Sequence, residues 1–132
     1  MTSFEPIGLF LLYFGVALAF EAAFIGLYMA VTPHHEAALI NRGNTAAAIS
    51  LGGAVLGFTL PLASVIIHSV SLVDMAVWSV IALLVQLGVY LLVNFLLRGI
   101  SSHIEEGNAA AAGTLAAASL AIGMINAASM TY

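Results

Sequence analysis

The stretch IGLFLLYFGVALAFEAAFIGLYMAV, Ile7–Val31, holds a single charged residue, Glu21, close to its centre. Roughly 20 apolar residues, rising about 1.5 Å each, span the hydrocarbon core of a bilayer, so this run is long enough to cross. Three more runs, Thr45–Ile67, Met75–Leu97 and Ala109–Met130, contain no Asp, Glu, Lys or Arg. The pattern predicts an all-α integral membrane protein with four transmembrane helices. A water-soluble bundle needs a polar outer face on each helix, and these runs have none.

Composition agrees. Hydrophobic residues make up 63% of the chain and charged residues 6%, where a soluble domain carries roughly a quarter charged. The whole of 1–132 reads as one membrane domain with short polar connections at Thr32–Asn44, His68–Asp74 and Arg98–Asn108. The chain has no cysteine, which excludes disulfides, thiolate metal sites and cysteine nucleophiles. A net charge of −4, with Arg42 and Arg98 the only Lys or Arg residues, leaves no basic patch for nucleic acid. The first run is too long for a cleaved signal peptide and reads as a retained anchor. Arg42 and Arg98 fall in connections on one side of the membrane. The positive-inside rule makes that side cytoplasmic, with both termini and the middle connection outside.

A shift of 64 residues lays Gly43-Asn44-Thr45-Ala46-Ala47-Ala48 over Gly107-Asn108-Ala109-Ala110-Ala111-Ala112. Glycine can end one segment in the left-handed conformation, and the asparagine that follows can cap the next helix. The expectation is two tandem two-helix repeats, 7–67 and 73–130, related by a parallel pseudo-two-fold along the membrane normal. Thr32-Pro33 has the form of an N-cap followed by proline at the first helical position. A short interfacial helix over about 33–42 is therefore expected. It should bury Ala37, Leu39 and Ile40 and leave His34, His35 and Glu36 wet.

These same stretches carry a resemblance. Thr32-Pro33-His34-His35-Glu36, Leu39-Ile40-Asn41-Arg42-Gly43-Asn44, Gly57-Phe58-Thr59-Leu60-Pro61-Leu62-Ala63-Ser64, Gly107-Asn108 and Asn126-Ala127-Ala128 together resemble the YjfL-like inner-membrane proteins. That family is domain of unknown function 350, of UPF0719 type. The resemblance implies a bacterial inner-membrane protein with two tandem modules and no established activity. It also implies association with envelope-stress proteins of the phage-shock type and with polyamine or ATP-grasp-type enzymes. Where the family pattern implies Pro-Tyr-Asp-Glu, this chain has Pro33-His34-His35-Glu36, without an acidic group at His35.

Polar groups inside the spans are the candidate site. Inserting a carboxyl such as Glu21 costs about 2.5–3.5 kcal/mol even on translocon scales, and protonation reduces that cost. Phe14, Glu21 and Tyr28 recur at intervals of seven, while Gln86, Tyr90 and Asn94 recur at intervals of four. Each set shares one helical face. Glu21 and Gln86 come to nearly equal depth, which puts a hydrogen bond between them within reach.

Small residues form two kinds of stripe. One runs through Ala46, Ser50, Gly53 and Gly57, with Ala110, Thr114, Ala117 and Ala121 as its counterpart in the second half. The other runs through Ala112, Ala116, Ser119, Gly123, Asn126 and Met130. Such stripes let helix backbones approach in lipid. Pro61 withdraws the usual donor from the Gly57 carbonyl, and Asn126 lies at a depth from which it could donate in its place.

His34, His35, Glu36, His103, Glu105 and Glu106 gather at one end without a His-x-x-x-His pair, so neither a metal site nor a cofactor is implied. No nucleophile–base pair appears, and the chain reads as a non-enzyme. The leading functional reading is a small oligomeric channel or transporter for ions, protons or small solutes, built on Glu21 and the facing polar stripe. The alternative is a membrane scaffold in the envelope-stress or polyamine-linked systems.

Overall fold

The computed structural model describes residues 5–130. Its element order is α1 (Glu5–Val31), α2 (Glu36–Asn41), α3 (Thr45–His68), α4 (Leu72–Leu96), α5 (Ile100–Glu105) and α6 (Ala109–Ala128), with no strand among the described residues. Four of these helices, α1, α3, α4 and α6, are long and apolar enough to cross a membrane. The termini, expected on the outer side, begin and end outside the described residues.

Local chemistry sets the helix boundaries. Gly43 and Gly107 take φ values of +80° and +82°, which reverse the chain at little cost only because they lack a Cβ. Asn44 then caps α3, its side-chain oxygen accepting from the Ala47 N–H at 3.0 Å. Asn108 caps α6 through the Ala110 and Ala111 N–H groups at 3.0 and 3.2 Å. At the other end of the bundle, Ser71 accepts from the Asp74 N–H at 3.1 Å, and the Asp74 carboxylate accepts from Val70 N–H at 3.1 Å. The helices α2 (36–41) and α5 (100–105) have six residues each, and 100 − 36 gives the spacing of 64 seen in the sequence.

The first connection departs from expectation. Its helix starts at Glu36, not at Pro33, and the preceding Thr32–His35 segment is non-helical. Burial alternates along that segment, with Thr32, His34 and Glu36 inside and Pro33 and His35 outside. Of the residues expected to be buried, Leu39 is, whereas Ala37 and Ile40 are exposed. His34 and Glu36 are therefore not wet. The inward-pointing polar set finds partners on neighbouring elements, and that interaction overrides the amphipathic pattern.

The tightest contact in the bundle joins α3 to α6. A Cβ added at Gly53 would collide with the Ala116 backbone and side chain, and one at Gly57 would lie 2.5 Å from the Ser119 carbonyl oxygen. Ala112, Ala116, Ser119 and Gly123 of α6 are buried against Ala46, Ser50, Gly53 and Gly57 of α3. The partner of the α3 stripe is thus within the chain. The proposed counterpart stripe, Ala110, Thr114, Ala117 and Ala121, is exposed instead.

The Pro61 expectation is corrected as well. A Cβ on Gly123 would run into the Gly57 carbonyl oxygen, so a hydrogen on the Gly123 Cα faces the acceptor that Pro61 leaves unused. Asn126 donates elsewhere, to the Ala82 carbonyl at 3.4 Å and to Gln86 Oε1 at 3.3 Å.

Gly123→Leu is expected to destabilise the bundle, at the upper end of the roughly 1–3 kcal/mol typical of overpacking, because the obstacle is backbone. Gly113→Leu, where a Cβ meets nothing within 4 Å, is expected to be near neutral. Thermal unfolding of both variants in the same detergent checks the contrast.

Candidate functional site

Polar side chains within the bundle form three groups at successive depths. The first lies where α1 ends. Tyr28, Thr32, His34 and Glu36 are each at most 4% exposed and pack beside Tyr90 of α4 and Ser101 of α5. Thr32 Oγ1 donates to Glu36 Oε1. His34 Nδ1 lies 2.7 Å from Ser101 Oγ, and its Nε2 lies 3.4 Å from Glu36 Oε1. The rings of Tyr28 and Tyr90 meet edge-on with centroids 6.4 Å apart, and those of His34 and Tyr90 do the same.

Burial pushes the His34 imidazole below its ordinary pKa, and the Glu36 carboxylate opposes that shift without reversing it. A neutral ring facing a carboxylate through Nε2 places its proton there, so Nδ1 accepts from the Ser101 hydroxyl. Three buried atoms in this group, Tyr28 Oη, Glu36 Oε2 and Tyr90 Oη, have no hydrogen-bond partner, and His34 Nε2 makes only the 3.4 Å contact with Glu36 Oε1. Such atoms usually cost free energy when desolvated, so a cluster of them marks a place where a polar species fits.

The second group lies deeper. Gln86 Nε2 donates to the Ser119 carbonyl at 3.2 Å, while Gln86 Oε1 accepts from Asn126 Nδ2. Gln86 and Asn126 are both buried between α4 and α6. One turn of α4, about 6 Å, separates Gln86 from Tyr90. The third group sits toward the opposite end. Ser64 Oγ donates to the Ala127 carbonyl at 2.9 Å and lies 3.4 Å from His68 Nδ1, which reaches the exposed surface.

Glu21 stands apart from all three groups. It does not meet Gln86; its carboxyl lies beside Thr59, whose Oγ1 is 3.1 Å from both carboxyl oxygens. The reason is the way α1 docks. It presents Ala17, Phe24 and Tyr28 to the bundle, and Phe24 stacks on Phe58 with centroids 4.7 Å apart. That stack fixes the rotation of α1 and turns Glu21 to the edge of the contact, into a groove between α1 and α3. Phe14, on the same predicted stripe, is exposed, and Asn94 is half-buried one turn beyond Tyr90.

Sequence reasoning thus identified Tyr28, Gln86, Tyr90 and Asn126 as polar groups of the spans but missed His34, Glu36, Ser101 and Thr59. The signal for two of them was present in Thr32-x-His34-x-Glu36, a polar alternation of period two that sends all three side chains one way.

Four apolar spans closed around an internal polar series define a multi-pass helical membrane protein. The chain belongs to the DUF350 family, described as Domain of Unknown Function (DUF350), whose match covers residues 2–130. It is similar to the UPF0719 inner membrane protein YjfL of Escherichia coli strain K12, at 39% identity over 120 residues, which are 91% of each chain. The protein of the same name from Escherichia coli O157:H7 gives the same figures. The chain is accordingly a multi-pass protein of the bacterial inner membrane. No solved structure matches it.

Two measurements check this site. Because His34 is held below its ordinary pKa near 6.5, the unfolded chain takes up that proton first as pH falls. The contribution of neutral His34 to stability is full above about pH 6.5 and is lost on acidification below it. Thermal midpoints in detergent are expected to drop between about pH 7 and 5, and His34→Gln is expected to flatten that dependence. In the second, Gln86→Leu and Asn126→Leu are each expected to cost about 0.6–2 kcal/mol. The double variant is expected to cost less than the sum, because each single change strands the other's amide.

Proposed function

We propose that this protein passes protons across the inner membrane along the interior polar series that runs from His34 and Glu36, through Tyr28 and Tyr90, to Gln86 and Asn126, and on to Ser64 and His68. The observation that carries this reading is the group of under-satisfied polar atoms buried at the mouth of that series, Tyr28 Oη, Glu36 Oε2 and Tyr90 Oη beside the long His34–Glu36 contact. A titratable pair, His34 with Glu36, lies there beside two phenol hydroxyls that can both give and take a proton. Between Ser79 and Tyr90, α4 carries its buried polar groups over 11 residues, or about 16 Å, more than half of the hydrocarbon thickness. Arg42 and Arg98 lie at the mouth end, which the positive-inside rule makes cytoplasmic.

The membrane rim supports transport over scaffolding. Each of α2 and α5 is a six-residue helix, and together they offer a small face to a soluble partner. In this reading Glu21 has no part in the pathway, because its carboxyl lies in the groove beside Thr59 and meets none of the interior groups.

Reconstitution in liposomes with a pH-sensitive dye tests the proposal. An imposed potential is expected to drive proton entry, and Glu36→Gln and Gln86→Leu are each expected to slow it at least about tenfold (about 1.4 kcal/mol on the barrier). Glu21→Gln is expected to leave it unchanged. Flux from the native protein no greater than from empty vesicles overturns the reading.

A further inference from the structure

Glu36 is a buried carboxylate without a fixed counter-charge. It is 0% exposed, and among the described residues its one ion-pair partner is His34. Burial holds that imidazole below its ordinary pKa, so the ring that faces Glu36 is neutral. Arg42 and Arg98 are exposed, and neither pairs with a described carboxylate. A buried charge is otherwise compensated by a partner or a bound ion. Thr32 Oγ1 serves Glu36 Oε1, while Oε2 has no partner. A proton on the carboxyl does not change this. On Oε1 it goes to Thr32, whose own hydrogen turns to the Tyr28 carbonyl at 3.1 Å, and Oε2 stays unmet. On Oε2 it finds no acceptor.

Two phenol oxygens near Glu36 are in the same condition. Tyr28 and Tyr90 are 1% and 2% exposed, and neither Oη has a hydrogen-bond partner. Their rings meet edge-on, Tyr90 meets His34 in the same way, and the charge of Glu36 acts on both phenols. Three buried oxygens thus gather from α1, α2 and α4 without bonding one another. Two further features make this end of the interior negative. Tyr28 lies in the last turn of α1, a 27-residue helix whose carbonyl end carries no basic side chain. The Glu105 carboxylate, on the neighbouring rim, adds its charge at His34.

We infer that Glu36 Oε2, with the phenol oxygens of Tyr28 and Tyr90, binds a monovalent alkali cation, sodium or potassium. The donor set is all oxygen, which suits a hard ion. One carboxylate balances one positive charge, whereas a divalent ion would leave an excess charge buried. Zinc fits poorly, because no group of three His, Cys, Asp or Glu residues able to hold a metal occurs among the described residues. Water can also meet these oxygens, but it leaves the charge of Glu36 uncompensated. Each phenol gives the ion a lone pair and keeps its hydrogen, and Ser101 lies beside Tyr90 to receive one of these. The ion and a proton compete for the same carboxylate, yet the inference goes beyond the proposed pathway, since binding needs no flux.

Thermal unfolding in detergent at constant ionic strength reads the site. Sodium or potassium chloride at about 100 mM is expected to raise the midpoint by at least about 3 °C over choline chloride, because an ion held only by the folded state stabilises it. Glu36→Gln, which keeps the shape and removes the charge, is expected to abolish that difference. Glu106→Gln, on the exposed rim, is expected to keep it. Tyr28→Phe and Tyr90→Phe delete oxygens that have no partner, so each is expected to fold. Each is expected to raise the half-saturating salt concentration at least about threefold. Circular dichroism shows that each variant is helical. Equal midpoints in the three salts overturn the inference, and so does a difference that survives Glu36→Gln. If Glu36→Gln does not fold, the phenylalanine variants decide, and unchanged half-saturation in both overturns it. A shift with calcium that neither alkali salt produces does the same. A salt-specific shift without proton flux leaves the cation site standing and removes only the proposed function.

Discussion

The bundle depends on the approach of α3 to α6, where backbone meets backbone with no side chain between. In lipid no hydrophobic effect draws helices together, so dispersion contacts and a few polar bonds must suffice, and both need proximity. Gly53, Gly57 and Gly123 supply it by lacking side chains at the points of closest contact. The same closeness puts Gln86 Nε2 within reach of the Ser119 carbonyl and lets the Gly123 Cα face the oxygen that Pro61 leaves free. Lengthening any of these three glycines separates the helices and breaks the polar bonds with them.

The fold was largely legible before any coordinates. Run length and the near absence of charge gave the four spans, and Gly43-Asn44 and Gly107-Asn108 marked two helix starts because each residue has a specific geometric task there. The small-residue stripe on α3 also read correctly, since only close packing accounts for Ala46, Ser50, Gly53 and Gly57 on one face. What could not be read was rotation. Glu21 and Gln86 share a depth, but depth comes from residue count, whereas facing direction comes from the Phe24–Phe58 stack across helices. The counterpart stripe on α6 failed for the same reason, because α6 turns Ala112, Ala116 and Ser119 inward instead.

The interior site was harder to see because its members are distributed. His34 and Glu36 come from a bend and the helix start that follows it, Ser101 from a second short helix 67 residues from His34, and Tyr90 from the last two turns of the third span. A histidine and a glutamate near a span end look like headgroup-level residues by composition alone. They are buried here because Thr32, Ser101 and each other answer their polar atoms, which offsets part of the desolvation that burial imposes. The atoms left unanswered then stand out, and they are the chemically interesting remainder.

Asn44 has a role wider than a cap. Its oxygen starts α3, while its amide nitrogen donates to the Ile104 and Glu105 carbonyls at 3.0 and 3.3 Å, at the closing turn of α5. One side chain thus ties the beginning of the second span to the segment that leads into the fourth. The two halves of the molecule are coupled at their rim as well as along the α3–α6 seam, and a tilt of either span at that end must drag the other hairpin with it. Any movement of the rim beside His34 is therefore shared by both halves, because this amide joins them there.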